Sequence, residues 1–163
     1  MLPAPDKQAV VDAVLQRLRD EEDAGRRAAL ATGAAATDPD SKAENKYDTR
    51  NLEASYLARG QAFRVAEARE ALAHLTGMTV RPWAPGEAIA PGALVQTRDR
   101  DGHAWYLFAP SGGGTEVTVG PVPVHVLTRE SPLGEKLRGL RTGDTFQMSP
   151  GRPATTVEIT DVR

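Results

Sequence analysis

The stretch VLTRESPLGEKLRGLRTGD, residues 126–144, contains the local signals that decide the fold of the second half of the chain. A β-branched apolar segment leads into Ser131-Pro132, where serine is a favoured helix N-cap and proline is a favoured first helical residue. Gly139 follows about two turns later and is typical of a helix end. The stretch therefore predicts a strand followed by a short helix.

The segments on both sides of this stretch predict further strands. Apolar runs there are short, rich in β-branched or aromatic residues, and separated by glycine, proline and aspartate. Asp101-Gly102 is a favoured two-residue hairpin turn. We expect a β-rich unit after Gly77, with strands at residues 94–98, 103–109, 116–119, 122–128, 145–148 and 155–161.

The beginning of the chain predicts an amphipathic helix over residues 6–30. Apolar residues recur there at spacings of three and four, and polar residues lie between them. Asp6, after a proline, is a suitable N-cap. The apolar line consists of Val10, Val11, Val14, Leu15 and Leu18.

A second, longer helix is predicted from about residue 41 to residue 76. Gly33 weakens the first helix, and Pro39 disfavours helical angles at the residue before it, so the chain reverses between the helices. Gly77 is a C-terminal stop signal. One apolar line of this helix contains Leu52, Tyr56, Phe63 and Ala66, and Val65, Leu72 and Leu75 lie beside it.

Two long helices joined by a short loop can bury their apolar lines against each other, which predicts an antiparallel coiled-coil hairpin. The expected fold class is α+β. The hairpin covers residues 1–78 with its tip near residues 37–44, and the β-rich domain with one short helix covers residues 79–163.

Composition excludes several classes of function. The formal net charge is −2, with 20 basic and 22 acidic residues and no long basic run, which argues against autonomous nucleic-acid binding. The chain contains no cysteine, so it has no disulfide, thiol nucleophile or thiolate metal site. Neither a signal peptide nor a membrane-spanning run is evident, and we expect a cytoplasmic protein.

The predicted tip is rich in carboxylates, at Asp38, Asp40, Glu44 and Asp48. Carboxylate oxygens are preferred ligands of Mg²⁺, and a metal held there beside a partner enzyme could position water for attack on a phosphodiester. The alternative is structural, because Ser41 and Glu44 have the spacing of a helix capping box.

Two stretches resemble the Gre transcript cleavage factors. Residues 126–139, continuing to Gly143-Asp144, resemble the C-terminal signature of that family, a strand, a Ser-Pro-aliphatic-small turn, a short helix and a Gly-Asp turn. Residues 44–48 are similar to the segment after the tip, where Glu-Asn precedes Tyr-Asp. Together with the order of elements, the resemblance covers nearly the whole chain.

The resemblance implies a monomeric elongation factor whose hairpin enters the secondary channel of RNA polymerase. It also implies an FKBP-like C-terminal domain that docks at the channel mouth and contact with nucleic acid only through the elongation complex. The factor is then no enzyme itself, but stimulates RNA cleavage by the polymerase with Mg²⁺ held jointly. The implied residues are Asp40 and Glu44 for catalysis and metal, Asp38 as a weaker substitute, Asn45, Tyr47 and Asp48 as tip support, and Ser131, Pro132 and Leu133 for docking.

Two alternatives stay open. Asp40 and Glu44 are one residue farther apart than in the family, with Lys42 between them, so a regulator that occupies the channel without stimulating cleavage is the first alternative. The second is an FKBP-like prolyl isomerase or chaperone module, which needs several aromatic side chains around one apolar site. The candidates for such a site are Trp83, Trp105, Tyr106, Phe108 and Phe146.

Overall fold

A computed structural model describes residues 3–36, 49–148 and 154–163. Two long helices are followed by a six-stranded mixed sheet and one short helix, which confirms the predicted fold class. The elements are α1 (Lys7–Ala36), α2 (Thr49–Thr76), β1 (Leu94–Asp99), β2 (Gly102–Phe108), β3 (Glu116–Val119), β4 (Val122–Leu127), α3 (Pro132–Leu137), β5 (Thr145–Met148) and β6 (Thr155–Val162).

The N-terminal helix begins at the predicted cap. The Asp6 carboxylate accepts a hydrogen bond from the backbone N–H of Ala9 at 2.7 Å, as an N-cap does. Helix α1 continues to Ala36, six residues beyond the predicted end, because alanine has the highest helix propensity and Gly33 does not stop it. The predicted start of the second helix lies outside the described residues, and its end at Thr76 is confirmed.

The contact between α1 and α2 uses only one of the two apolar lines of α2 that the sequence predicted. Leu52, Tyr56 and Phe63 are each about three-fifths exposed or more, and Ala66 is exposed as well, so this line does not form the seam. The buried or half-buried residues of α2 follow a heptad spacing instead. They are Ala58, Gln61, Val65, Ala68, Leu72 and Leu75, and the buried Ala71 lies beside this line.

The observed seam is buried because, from Val65 onward, it is the line that stays apolar down to the base of the hairpin. The other line continues into Glu70, whereas the seam ends in Leu72 and Leu75. Small residues on α1 also favour the seam, since Gly25 lies so close to Val65 that a Cβ atom at position 25 would overlap the Val65 Cγ2 methyl. Helix α1 therefore approaches α2 closely at this point.

Replacing Gly25 with alanine should destabilise the protein by about 1 kcal/mol, because steric overlap with a stiff β-branched side chain outweighs the gain in helix propensity. The additional replacement Val65→Ala should relieve the overlap, so the double variant should lose less stability than the sum of the single variants. Urea unfolding of the four proteins measures this coupling. Additive effects would contradict the close approach.

The sheet has the strand order β3-β4-β2-β1-β6-β5. All neighbouring strands are antiparallel except β2 and β4, which run parallel with Trp105 opposite Val124. All six predicted strands are present with ends that shift by at most one residue. The hairpin between β1 and β2 turns at Arg100-Asp101, one residue earlier than the predicted Asp101-Gly102, because Asp99 pairs with Gly102. The Asp99 carboxylate accepts hydrogen bonds from the backbone N–H groups of Asp101 and Gly102.

The base of the hairpin packs on the sheet, so the helices do not bury their apolar lines only against each other. Leu18 of α1 and Leu75 of α2 belong to the same buried cluster as Trp105 and Val124. A second cluster, on the side of α3, contains Phe108, Leu137 and Ile159. The hairpin is thus anchored at its base through a shared core.

Candidate partner-docking site

The predicted catalytic and metal-binding tip lies outside the described residues. The structure therefore gives no geometry for the residues assigned to it, which are Asp38, Asp40, Glu44, Asn45, Tyr47 and Asp48. Within residues 3–36, 49–148 and 154–163, no three His, Asp or Glu side chains are grouped so that they could hold a metal ion. In the same ranges, no helix is long and apolar enough to cross a membrane.

The predicted docking residues form a compact turn between β4 and α3. Ser131 is the N-cap of α3, as predicted, and its side-chain oxygen accepts a hydrogen bond from the Gly134 N–H at 3.0 Å. The same hydroxyl donates to the Thr128 carbonyl oxygen at 2.8 Å, and the Ser131 N–H donates to that oxygen at 3.1 Å. Ser131 thus ties the end of the strand to the start of the helix.

Gly134 is the residue that lets this turn close. A Cβ atom at this position would overlap the Thr128 carbonyl oxygen and would lie 2.8 Å from the Ser131 hydroxyl oxygen. Only glycine fits between these groups, because the strand end and the helix start approach each other at van der Waals distance. The last position of the Ser-Pro-aliphatic-small pattern is therefore small for a steric reason.

The turn presents one apolar group to solvent and anchors the next. Pro132 is exposed, whereas Leu133 is half-buried and packs against the cluster that contains Leu137. An ion pair precedes the turn, with 2.7 Å between Arg129 Nε and Glu130 Oε1, and it holds the pKa of the Glu130 carboxyl below its usual value. The turn therefore presents an exposed proline beside an exposed ion pair.

A second cluster, which the sequence analysis did not predict, lies at the joint between the hairpin and the sheet. Lys7 Nζ donates hydrogen bonds to the carbonyl oxygens of Arg81 and Gly92, at 2.6 and 3.0 Å. Trp83 lies beneath two cations, with Lys7 Nζ 4.9 Å and Arg81 Cζ 4.0 Å from its ring centre. Arg81 also pairs with Glu87. These contacts hold the start of α1 against the proline-rich connection.

The pKa of the Lys7 side chain is lower than that of an ordinary lysine. Burial, and then the nearby Arg81 charge, lower the pKa of Lys7 from 10.5 to about 8. The unfolded chain therefore holds this proton up to a higher pH than the folded chain does, and stability should rise with pH between about 8 and 10.5 through this group. Urea unfolding over that range, compared with Lys7→Gln, measures the contribution. An identical pH dependence in the two proteins would contradict it.

The glycine-rich loop at residues 111–114 lies against the hairpin base. A Cβ atom at Gly112 would lie 3.4 Å from Leu75 Cδ1 and 3.7 Å from Leu18 Cδ1. The loop and the two helices border an open cleft of about 800 Å³. The loop therefore contributes to the contact between sheet and helices.

The five aromatic candidates for an isomerase site divide between the two faces of the sheet. Trp105 and Phe108 are fully buried in different clusters, on opposite faces of the sheet. The Trp83 ring is covered by cations, and Tyr106 lies beside His125, with ring centres 5.8 Å apart. Phe108 lies in the cluster on the side of α3, and Trp83 and Phe146 pack against the same cluster, so the isomerase alternative stays a prediction.

Comparison with known proteins gives matches among solved structures alone: no family model matches the chain, and no curated protein matches it in sequence. The GreA factor homolog 1 (Gfh1) of Thermus thermophilus is 16% identical over 93% of this chain and 95% of its own, with a TM-score of 0.37. Gfh1 of Thermus aquaticus is 15% identical over 93% and 95%, with a TM-score of 0.39.

A third structure, the transcription elongation factor GreA/GreB from Nitrosomonas europaea, is 20% identical over 58% of this chain and 78% of its own, with a TM-score of 0.34. The matches to the two Thermus proteins extend over both the helical hairpin and the sheet. Identity and structural agreement are low in every case. The chain is thus similar to proteins that are described as Gre-type factors.

Proposed function

We propose that this chain is a Gre-type transcription elongation factor that binds RNA polymerase. The observation that carries the proposal is the turn at residues 131–134, where the Gre-like signature coincides with a sterically enforced structure that exposes Pro132. The same molecule carries a hairpin whose first helix has 30 residues and is about 45 Å long. A long helical hairpin joined to a domain with a candidate docking turn suits a protein that inserts the hairpin into a partner.

The finer proposal is that the factor promotes cleavage of RNA in backtracked complexes. Asp40 and Glu44, with Asp38 as a weaker substitute, would hold Mg²⁺ jointly with the polymerase, which performs the reaction. The metal would orient a water molecule for attack on the phosphodiester. The factor would act as a cytoplasmic monomer and would touch nucleic acid only within the elongation complex.

A second candidate is a channel-occupying regulator that does not stimulate cleavage. Lys42 lies between Asp40 and Glu44, and the spacing of the two acids departs from the family pattern. Because catalysis by a shared metal depends on accurate placement of its ligands, such a departure favours occupancy without cleavage.

RNA cleavage in stalled, backtracked complexes of the cognate polymerase tests the proposal, with and without the factor and over a range of Mg²⁺ concentrations. Stimulated cleavage is the expected result. Displacement of a known cleavage factor without stimulation would support the second candidate. If the protein neither stimulates cleavage nor competes for the polymerase, both candidates fail.

A further inference from the structure

Lys7 is held at the joint by two hydrogen bonds that a neutral amine can make as well as an ammonium group. Its Nζ atom lies 2.6 Å from the Arg81 carbonyl oxygen and 3.0 Å from the Gly92 carbonyl oxygen. A charged lysine has three N–H groups, whereas the neutral amine has two N–H groups and one lone pair. With both N–H groups directed at the two carbonyl oxygens, the lone pair of neutral Lys7 points away from both of them.

The Nζ atom lies at the edge of the protein surface. Its bond to the Gly92 carbonyl is partly buried, whereas its bond to the Arg81 carbonyl is exposed. The Trp83 ring lies on one side, with its centre 4.9 Å from Nζ. Glu87 pairs with Arg81 rather than with Lys7. The amine is therefore fixed in position but is not shielded by an ion pair with that carboxylate.

The surroundings favour the neutral form of this amine. Burial and then the Arg81 charge lower the pKa of Lys7 to about 8, and the Glu87 charge opposes them. At a pH of about 7.5, roughly a quarter of such a group is free amine, against roughly 0.1% of an ordinary lysine. Desolvation and a neighbouring cation are the two means by which proteins activate a lysine as a nucleophile.

The hydrogen bonds of Lys7 favour an acyl group over an aldehyde as the reaction partner. A neutral imine, formed with an aldehyde, keeps no N–H group and would give up both carbonyl bonds. An amide keeps one N–H group and can retain one of them. Acylation is therefore the covalent change that costs this site the least hydrogen bonding.

We propose that Lys7 is an acyl-acceptor site, at which a small acyl phosphate transfers its acyl group to Nζ. The lone pair attacks the carbonyl carbon, a C–N bond forms, and the C–O bond to phosphate breaks. The phosphate leaves with the bonding electron pair and takes one amine proton, so nothing is oxidised or reduced. Arg81, which lies over the same Trp83 ring, supplies a neighbouring cation for an anionic donor.

Acylation would weaken the joint between the hairpin and the sheet. The amide carries no charge, so the cation–π attraction to Trp83 is lost. Its single N–H group can bond to the carbonyl of either Arg81 or Gly92, but not to both. The start of α1 would then be released from one side of the connection. This inference does not depend on the proposed function.

Acetyl phosphate, added to the purified full chain, tests the inference. The chain has four lysines, and Lys136, which is exposed on α3, is the internal control. At a pH of about 7.5, peptide mass spectrometry should show Lys7 acetylated at least about tenfold faster than Lys136, because the gain in free amine exceeds the loss of intrinsic nucleophilicity. Equal rates at the two lysines would overturn the inference.

Unfolding the protein should abolish this preference, because it arises from contacts between residues far apart in sequence. The same reaction in urea, above the unfolding transition, should therefore acetylate Lys7 and Lys136 at rates within about threefold of each other, as expected for two lysines with ordinary pKa values. A preference that persists in urea would mean that the neighbouring sequence, and not the joint, makes Lys7 reactive. It would overturn the inference.

Two charge variants should move the rate at Lys7 in opposite directions. Arg81→Gln removes the cation that lowers the pKa of Lys7 and should slow acetylation at least about threefold. Glu87→Gln removes the opposing carboxylate and should accelerate it. Neither variant should change the rate at Lys136, which monitors the donor. Unchanged rates at Lys7 in both variants would contradict the role of these neighbours.

A neutral acetyl ester, such as nitrophenyl acetate, tests the class of donor. Lys7 should be preferred with the ester as well as with acetyl phosphate, because its free amine is available to both. A preference with the ester alone would show that Lys7 is a reactive amine that an acyl phosphate does not reach, and would overturn the proposal.

Hydrogen exchange tests the effect on the joint. Backbone amides in residues 81–92 should exchange faster in acetylated wild type than in untreated protein, since a bond that holds this connection is lost. Lys7→Arg is the control, because it keeps a cation at this position but cannot be acylated there. Its exchange should be the same with and without acetyl phosphate. Unchanged exchange in acetylated wild type would refute the weakening of the joint.

Discussion

Replacing Gly134 with alanine is expected to destabilise the β-rich domain by roughly 2–4 kcal/mol and to abolish binding to RNA polymerase. The new Cβ atom would overlap the Thr128 carbonyl oxygen, which is part of the backbone and has little room to yield. Relief of the overlap would pull Ser131 away from both of its partners, so the helix cap would be lost together with the exposed position of Pro132. Urea unfolding and polymerase binding measure the two effects.

Gly60→Ala is the matched control for this variant. Gly60 lies in α2 with nothing within 4 Å of an added Cβ atom, so the same substitution should leave binding intact and raise stability by roughly 0.5–1 kcal/mol. Ser131→Ala should give an intermediate loss of about 1 kcal/mol, since it removes the cap without a steric overlap. A Gly134→Ala variant as stable and as active as wild type would refute the steric role of this glycine.

The double substitution Asp40→Ala and Glu44→Ala is expected to lower stimulated RNA cleavage by about 100-fold or more if these acids hold the shared metal. Binding to the polymerase should change little, because the turn at residues 131–134 is untouched. The two effects are separated by measuring cleavage at saturating factor and affinity by competition.

Asp12→Ala with Asp20→Ala is the control for the loss of two carboxylates from the same rod. Both residues are exposed in the first half of α1, where each accepts a hydrogen bond from a glutamine one turn earlier. This variant should stimulate cleavage as wild type does. Undiminished cleavage in the tip variant would remove Asp40 and Glu44 from the mechanism, whatever the effect of the control.

Local sequence signals predicted most elements of the fold. The Asp6 and Ser131 caps and the six strands each depend on residues close together in the chain, and so does the β1–β2 turn, which was predicted one residue too late. Interactions over such short distances are determined by backbone preferences and by side-chain bonds to nearby N–H groups, which the residue types reveal. The candidate docking turn could be predicted for the same reason, although the steric need for Gly134 became evident only from its contact with Thr128.

Tertiary structure alone decided which apolar line of α2 is buried. Both lines have helical periodicity, so the sequence supplies two candidates, and the choice depends on the total packing free energy with α1 and the sheet. The seam is the buried line because Leu75 packs in the core that the helices share with the sheet, and because Gly25 leaves room for the Val65 side chain. The cluster of Lys7 and Trp83 was likewise unpredictable, since its members are far apart in sequence and only the folded chain brings the cation to the ring.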